Sequence, residues 1–156
     1  MITLPSITHQ DISWSFGAEK YFTALAEQLF TGVVDKGGNP YIEHLREVAS
    51  YQNSPYKRLL AMHHDSIEDG KITAKELLKL GAPESFVARL EMLAKPAGMK
   101  YFDYVETLMV CPDLIEVKKG DLRSNMNVSR LKVLTDMDWD RVRKYHHAYR
   151  MLCDAA

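Results

Sequence analysis

The stretch HHDSIEDG, residues 63–70, places two histidines and three carboxylates within eight positions. Imidazoles and carboxylates are the side chains that hold divalent cations and move protons near neutral pH. His64 and Glu68 are four apart, Asp65 and Glu68 three apart, and Asp65 and Asp69 four apart, spacings that make neighbours on a helix surface. The spacing therefore predicts one helical face bearing an imidazole and two or three carboxylates. Like charges so close repel one another, and a cation is their natural counterpart. His44 lies in PYIEHLREVA among Ile42, Leu45, Val48 and Ala49, the mark of a half-buried helix in which a histidine needs a partner. Further along, Asp121 and Asn125 share a face, with Lys118 on roughly the same side.

The elements that must position these groups read as helices almost throughout. Apolar residues recur at three- and four-residue steps from Trp14 to Phe30, with Gly32 as the stop. DKGGN, residues 35–39, is a loop, after which Asn39 as N-cap and Pro40 as first helical residue launch PYIEHLREVASYQ. Ser54-Pro55 starts YKRLLAMHHDSIED, closed by Gly70; Thr73 caps AKELLKL, closed by Gly81; Pro83 opens ESFVARLEMLAK. A helix through YFDYVETLMV follows the turn at Pro96–Gly98. Pro112 opens DLIEVKKGDLRSNMNVSRL, with Gly120 as a weak spot, and the last helix runs from about Asp138 through WDRVRKYHHAYRMLC. Strand-like alternation is absent, so the expectation is an all-α bundle of about seven to eight helices, a single domain over residues 1–156.

Composition narrows the class. The chain has 156 residues, 46% hydrophobic and 26% charged, with a formal net charge of -1. No basic stripe or aromatic platform points to nucleic acid, and no window approaches the ~20 apolar residues of a membrane span. The start lacks the pattern of a secretory signal, and Cys111 and Cys153 form no CxxC, so a cytoplasmic location with idle thiols is expected.

The order His44, then His64-Asp65, then Asp121 resembles the H…HD…D metal site of the HD phosphohydrolase superfamily. GNPYIEH at 38–44 is similar to the G-x-P-Y-x-x-H of RelA/SpoT-type (p)ppGpp hydrolase domains and small alarmone hydrolases. HDSIED at 64–69 matches that group's HDxxED, and VKKGDLRSNMNVSRL at 117–131 resembles its VKxADxxxN segment. The likeness runs from about residue 20 to about residue 150.

The resemblance implies an HD-domain fold and His44, His64, Asp65 and Asp121 as ligands of one divalent metal. Such a donor set suits Mn²⁺ and also admits Fe²⁺, Mg²⁺ or Zn²⁺, while the lack of thiolates argues against a closed structural zinc site. It further implies that Glu68 and Asp69 position the attacking water and move its proton, and that Asn125 and Lys36 meet the substrate's sugar and phosphates. The activity implied is hydrolysis of a small-molecule nucleotide, in the manner of a (p)ppGpp 3′-pyrophosphohydrolase. An HD-type nucleotidase acting on another nucleotide, or a non-catalytic nucleotide-binding HD module, are the alternatives. Two departures bear on the substrate. The family's basic residue nine before the first metal histidine, which packs on guanine, is here Asp35, and the family's HxGQ segment falls near FTGV at 30–33. His63 stands where the family has an apolar residue and reads as a neighbour of the site, while His146 and His147 read as packing and surface positions.

Overall fold

The structure, a computed structural model, describes residues 16–156. Among them are eight α-helices: α1 (Phe16–Leu29), α2 (Tyr41–Ser50), α3 (Pro55–His63), α4 (Ala74–Lys79), α5 (Glu84–Leu93), α6 (Tyr101–Thr107), α7 (Pro112–Asn125) and α8 (Asp136–Ala155). Short 3₁₀ turns follow α6 (Leu108–Val110) and α7 (Val128–Arg130). The described chain is all-helical, as its periodicity predicts. Its extended pairing amounts to one isolated bridge between Val34 and Pro40, and none of its helices is long and apolar enough to cross a membrane. Trp14, the expected start of the first helix, lies outside the described residues.

Helix α2 packs on both α3 and α7, α1 covers α3, and α8 covers α7. The apolar stripe of α2, Leu45, Val48 and Ala49, is buried, as are Leu59 and Leu60 of α3 and Leu114, Val117 and Leu122 of α7. Each fully buried leucine or valine contributes roughly 1.5–3 kcal/mol relative to exposure. This interior is what holds α2, α3 and α7 together. Gly120 does not weaken α7; it lets that helix approach α2. A Cβ at Gly120 would stand 2.8 Å from Gln52 Nε2 and 3.3 Å from Val48 Cγ1.

The helix starts at Ser54 and Thr73 follow their side chains. Ser54 accepts from Lys57 N, and Thr73 forms a reciprocal capping box with Glu76. Other boundaries differ from the sequence reading. Pro40, rather than Asn39, is the N-cap of α2, because Tyr41 N is drawn back to Val33 O at 2.8 Å and Asn39 is engaged with Asp35. Helix α3 ends at His63, and residues 64–70 form consecutive turns. There Ser66 Oγ bonds to the His63 carbonyl at 2.7 Å, competing with the helical ladder, and Gly70 adopts φ 64°. The helices expected to run through Lys95, Val110 and Leu131 end as α-helix at Leu93, Thr107 and Asn125. Helix α8 starts at Asp136, earlier than expected, because Thr135 and Asp138 form a second capping box. Cys111 is buried, Cys153 is half-buried, and both are free thiols.

Candidate metal centre and adjoining cavity

The three mutually packed helices each deliver part of one buried cluster. His44 comes from the inner face of α2, His64 caps the C-terminus of α3, and Asp121 sits mid-way along α7; all three are buried. His44 Nε2 and His64 Nε2 lie 3.2 and 3.3 Å from Asp121 Oδ1. Asp65 closes a fourth side, its Oδ2 3.0 Å from His64 Nε2 and 3.7 Å from His44 Nε2. Thus His44, His64, Asp65 and Asp121 converge, and His44, His64 and Asp121 offer donor atoms close enough to hold one metal ion.

The hydrogen-bonding contacts of the His64 ring fit a cation in this pocket. His64 Nδ1 is 2.7 Å from the Ala61 carbonyl, which can only accept, so Nδ1 carries a proton. The other nitrogen, Nε2, is buried and makes no hydrogen bond, although two carboxylate oxygens stand close to it. In the neutral ring that atom is a lone pair facing anions, an arrangement that needs a positive charge between them. Without a metal a proton fills the role: burial opposes it, but Asp65 and Asp121 hold the His64 imidazole well above its ordinary pKa. A divalent ion coordinated by Nε2 does the same with more charge.

The carboxylates are held ionised. Burial raises Asp121, but Lys118 and then His64 more than offset this and keep it well below the usual carboxylate range. Lys118 Nζ donates to Asp121 Oδ2 at 2.7 Å, and Asn125 Nδ2 donates to Oδ1 at 2.7 Å. Burial likewise opposes ionisation of Asp65, and His64 lowers it. Tyr41, stacked on Phe30, donates to Asp65 Oδ2 at 2.5 Å. Tyr41 and Lys118 thus hold the two carboxylates in place. Signals for both were visible in the sequence, Tyr41 inside GNPYIEH and Lys118 three residues before Asp121, yet neither stood out as a site residue.

Glu68 and Asp69 follow in the turns after Asp65 rather than on a helical face, so the predicted shared face of α3 does not exist. Both side chains reach solvent. Partial burial raises both carboxyls above their ordinary values; Lys118 opposes this for Glu68, and Asp65 adds to it for Asp69. Groups shifted in this direction are suited to accept a proton at neutral pH.

A cavity of about 300 Å³ adjoins the cluster. Tyr41 and Asn125 line it, and each also bonds to one of the clustered carboxylates. Asp35, Lys36, Arg130, Arg141 and Tyr145 line it as well, so both expected substrate residues, Lys36 and Asn125, face the same space. Asp35 is built into the loop. Its Oδ1 accepts from Gly37 N at 2.8 Å and Asn39 N at 2.9 Å. Burial raises its pKa, the Asn39 backbone lowers it, and the net shift is downward. Gly37 has a fixed reason to be glycine, since a Cβ would stand 2.2 Å from the Arg130 carbonyl.

His63 is not part of the cluster. Fully buried, it donates through Nε2 to the Phe22 carbonyl at 2.6 Å and so ties α1 to α3. His147 packs edge-on against Phe102 at the surface.

No protein-family model matches the chain, and no curated protein matches it in sequence. Among solved structures, a metazoan ortholog of SpoT, described as hydrolyzing ppGpp and acting in starvation responses, superposes with a TM-score of 0.71 at 14% identity. The match covers 92% of this chain and 88% of that one. The chain therefore shares the all-helical fold of that protein, with its own His-His-Asp cluster where α2, α3 and α7 meet.

Proposed function

We propose that the protein is a metal-dependent phosphohydrolase that cleaves the 3′-diphosphate of (p)ppGpp, with His44, His64, Asp65 and Asp121 holding one divalent ion, of which Mn²⁺ suits the donors best. The observation that carries this is the pair of Nε2 atoms brought within 3.3 Å of one carboxylate oxygen, one of them buried with no hydrogen bond. The fold shared with a ppGpp hydrolase and the adjoining cavity support it.

When bound, the ion supplies Lewis-acid polarisation of a phosphoryl oxygen and a water of lowered pKa. The chain's own residues do the rest. Lys118 and Tyr41 keep Asp121 and Asp65 oriented, Lys36 meets the substrate phosphates, and Asn125 meets the sugar. Glu68, with Asp69 beside it, orients the attacking water and takes its proton. Water adds to the phosphorus next to O3′, the P–O3′ bond breaks, O3′ is protonated, and GDP or GTP leaves with pyrophosphate.

Asp35 favours a second reading, a nucleotidase-type phosphohydrolase acting on another nucleotide. A carboxylate held ionised on the cavity wall cannot stack on guanine as a guanidinium does. It can accept from base N–H groups instead, and its Oδ2 has one long contact, to Asn39 Nδ2 at 3.4 Å. A non-catalytic nucleotide-binding module would leave Glu68 and Asp69 without work. A panel of ppGpp, pppGpp, GTP, ATP and 3′-phosphorylated nucleotides, incubated with Mn²⁺ and resolved by anion-exchange chromatography, separates these readings. Conversion of ppGpp to GDP as the fastest reaction is expected. Intact ppGpp beside turnover of another nucleotide moves the assignment to the second reading, and no turnover of any leaves the binding module.

A further inference from the structure

On the side of His44 away from the carboxylates, a chain of hydrogen bonds leads out to α2 and the segment after α7. His44 Nδ1 lies 2.9 Å from Ser124 Oγ, and Ser124 is fully buried. Ser124 Oγ donates to Glu47 Oε2 at 2.6 Å. A carboxylate has no proton to return, so the single hydroxyl proton is committed to Glu47. Toward His44 the oxygen can only accept, which places the ring proton on Nδ1 and leaves Nε2 as a lone pair facing Asp121 and Asp65. Arg130 Nη2 gives the same oxygen a second donor at 3.2 Å and also donates to the Ser124 carbonyl at 2.7 Å. Ser124 Oγ is therefore saturated, with one proton donated and two accepted. Glu47 is fixed in turn by Tyr51, whose hydroxyl donates to Oε1 at 2.7 Å, and by Arg130 Nη1 at 3.3 Å.

We propose that Glu47 and Ser124 are positioning residues for the metal centre, fixing the tautomer and ring plane of His44 so that its Nε2 is presented to a divalent cation. This rests on the metal-centre reading above. Outer partners of this kind typically change metal affinity by about 10–100-fold when removed. Arg130 also lines the cavity, so the relay reaches the wall against which a nucleotide would lie.

The test uses ring-¹⁵N-histidine-labelled, metal-free protein read across a pH series, together with Mn²⁺ titration followed by the electron paramagnetic resonance of the free ion. In the unaltered protein the His44 proton is expected on Nδ1. In Glu47→Leu the freed Ser124 proton turns onto Nδ1 and the ring proton moves to Nε2. Glu47→Leu and Ser124→Ala are both expected to bind Mn²⁺ about 10–100-fold more weakly. A His44 proton found on Nε2 in the unaltered protein, or unchanged Mn²⁺ affinity in both folded variants, overturns the proposal. If the unaltered protein binds no Mn²⁺, the metal reading fails on its own, and the His44 tautomer still decides whether the relay sets the ring. The same spectrum decides if the variants do not fold.

Discussion

Around Asp121 stand Lys118, His44, His64 and the amide of Asn125, all within 3.3 Å of its two oxygens. Lys118 is the one permanent cation among them, and its side chain and that of Asp121 are 12% and 6% exposed. Removing one partner of so buried a pair strands the other charge, at a cost of about 3–5 kcal/mol. Lys118→Met is therefore expected to lower the unfolding free energy of the metal-free protein by about 3 kcal/mol in urea titrations. Added Mn²⁺ should restore much of that loss, because the ion takes over the neutralisation of Asp121. An equal loss with and without Mn²⁺ would mean that no cation is bound beside Asp121. At this scale the sequence was most informative for the ligand candidates. His44, His64, Asp65 and Asp121 could be singled out as a set because their order resembles the H…HD…D pattern; spacing alone pointed only to an acidic cluster beside His64, a half-buried His44 and the shared face of Asp121 and Asn125. The groups behind His44 were silent. Ser124 and Glu47 are ordinary residue types whose contacts run between α2 and α7, which no local pattern encodes.

Helix α3 shows how an element can place a residue correctly by ending in the right spot. Its termination at His63 turns His64 and Asp65 toward the junction with α2 and α7 and sends Glu68 and Asp69 out into the turns. The helical spacing of HDSIED suggested a continuous face; the Ser66 side-chain bond and the Gly70 turn overrode it. Where capping chemistry is explicit, at Ser54 and Thr73, the boundaries were legible. Where a proline precedes the helix, at Pro40, the neighbouring loop decided. His63, the last residue of α3, carries a separate consequence for stability. Burial pushes its imidazole down to about 4, below the 6.5 of an ordinary histidine. The folded state therefore resists protonation while the unfolded chain accepts it. Its contribution is fully present above about pH 6.5 and is lost as pH falls from there toward about 4, up to ~3 kcal/mol in all. Glu68 and Asp69, with raised carboxyls, act in the opposite direction at the acid end, so the comparison must be differential. The difference in unfolding free energy between the unaltered protein and His63→Leu should shrink as pH is lowered from 7 to 4.5. A difference independent of pH would show that His63 is not held neutral in the core.

At the scale of the whole molecule, the all-α class was readable because the apolar period is helical throughout and the turns are marked by glycine and proline. The cavity was not readable as a space. It takes its walls from the 35–39 loop, the 3₁₀ turn at Val128–Arg130 and the first half of α8, segments far apart in the chain that meet only once α2 and α7 are packed. That assembly puts Asp35 on the wall of the same space that Tyr41 and Asn125 line, the two residues bonded to the clustered carboxylates. The most direct measurement is release of pyrophosphate from ppGpp by the purified protein with Mn²⁺, beside the chelator-treated protein and Asp65→Ala. Release with Mn²⁺ that disappears in both controls is expected. Undiminished release from Asp65→Ala, or none from the Mn²⁺-loaded protein, would contradict the proposed function.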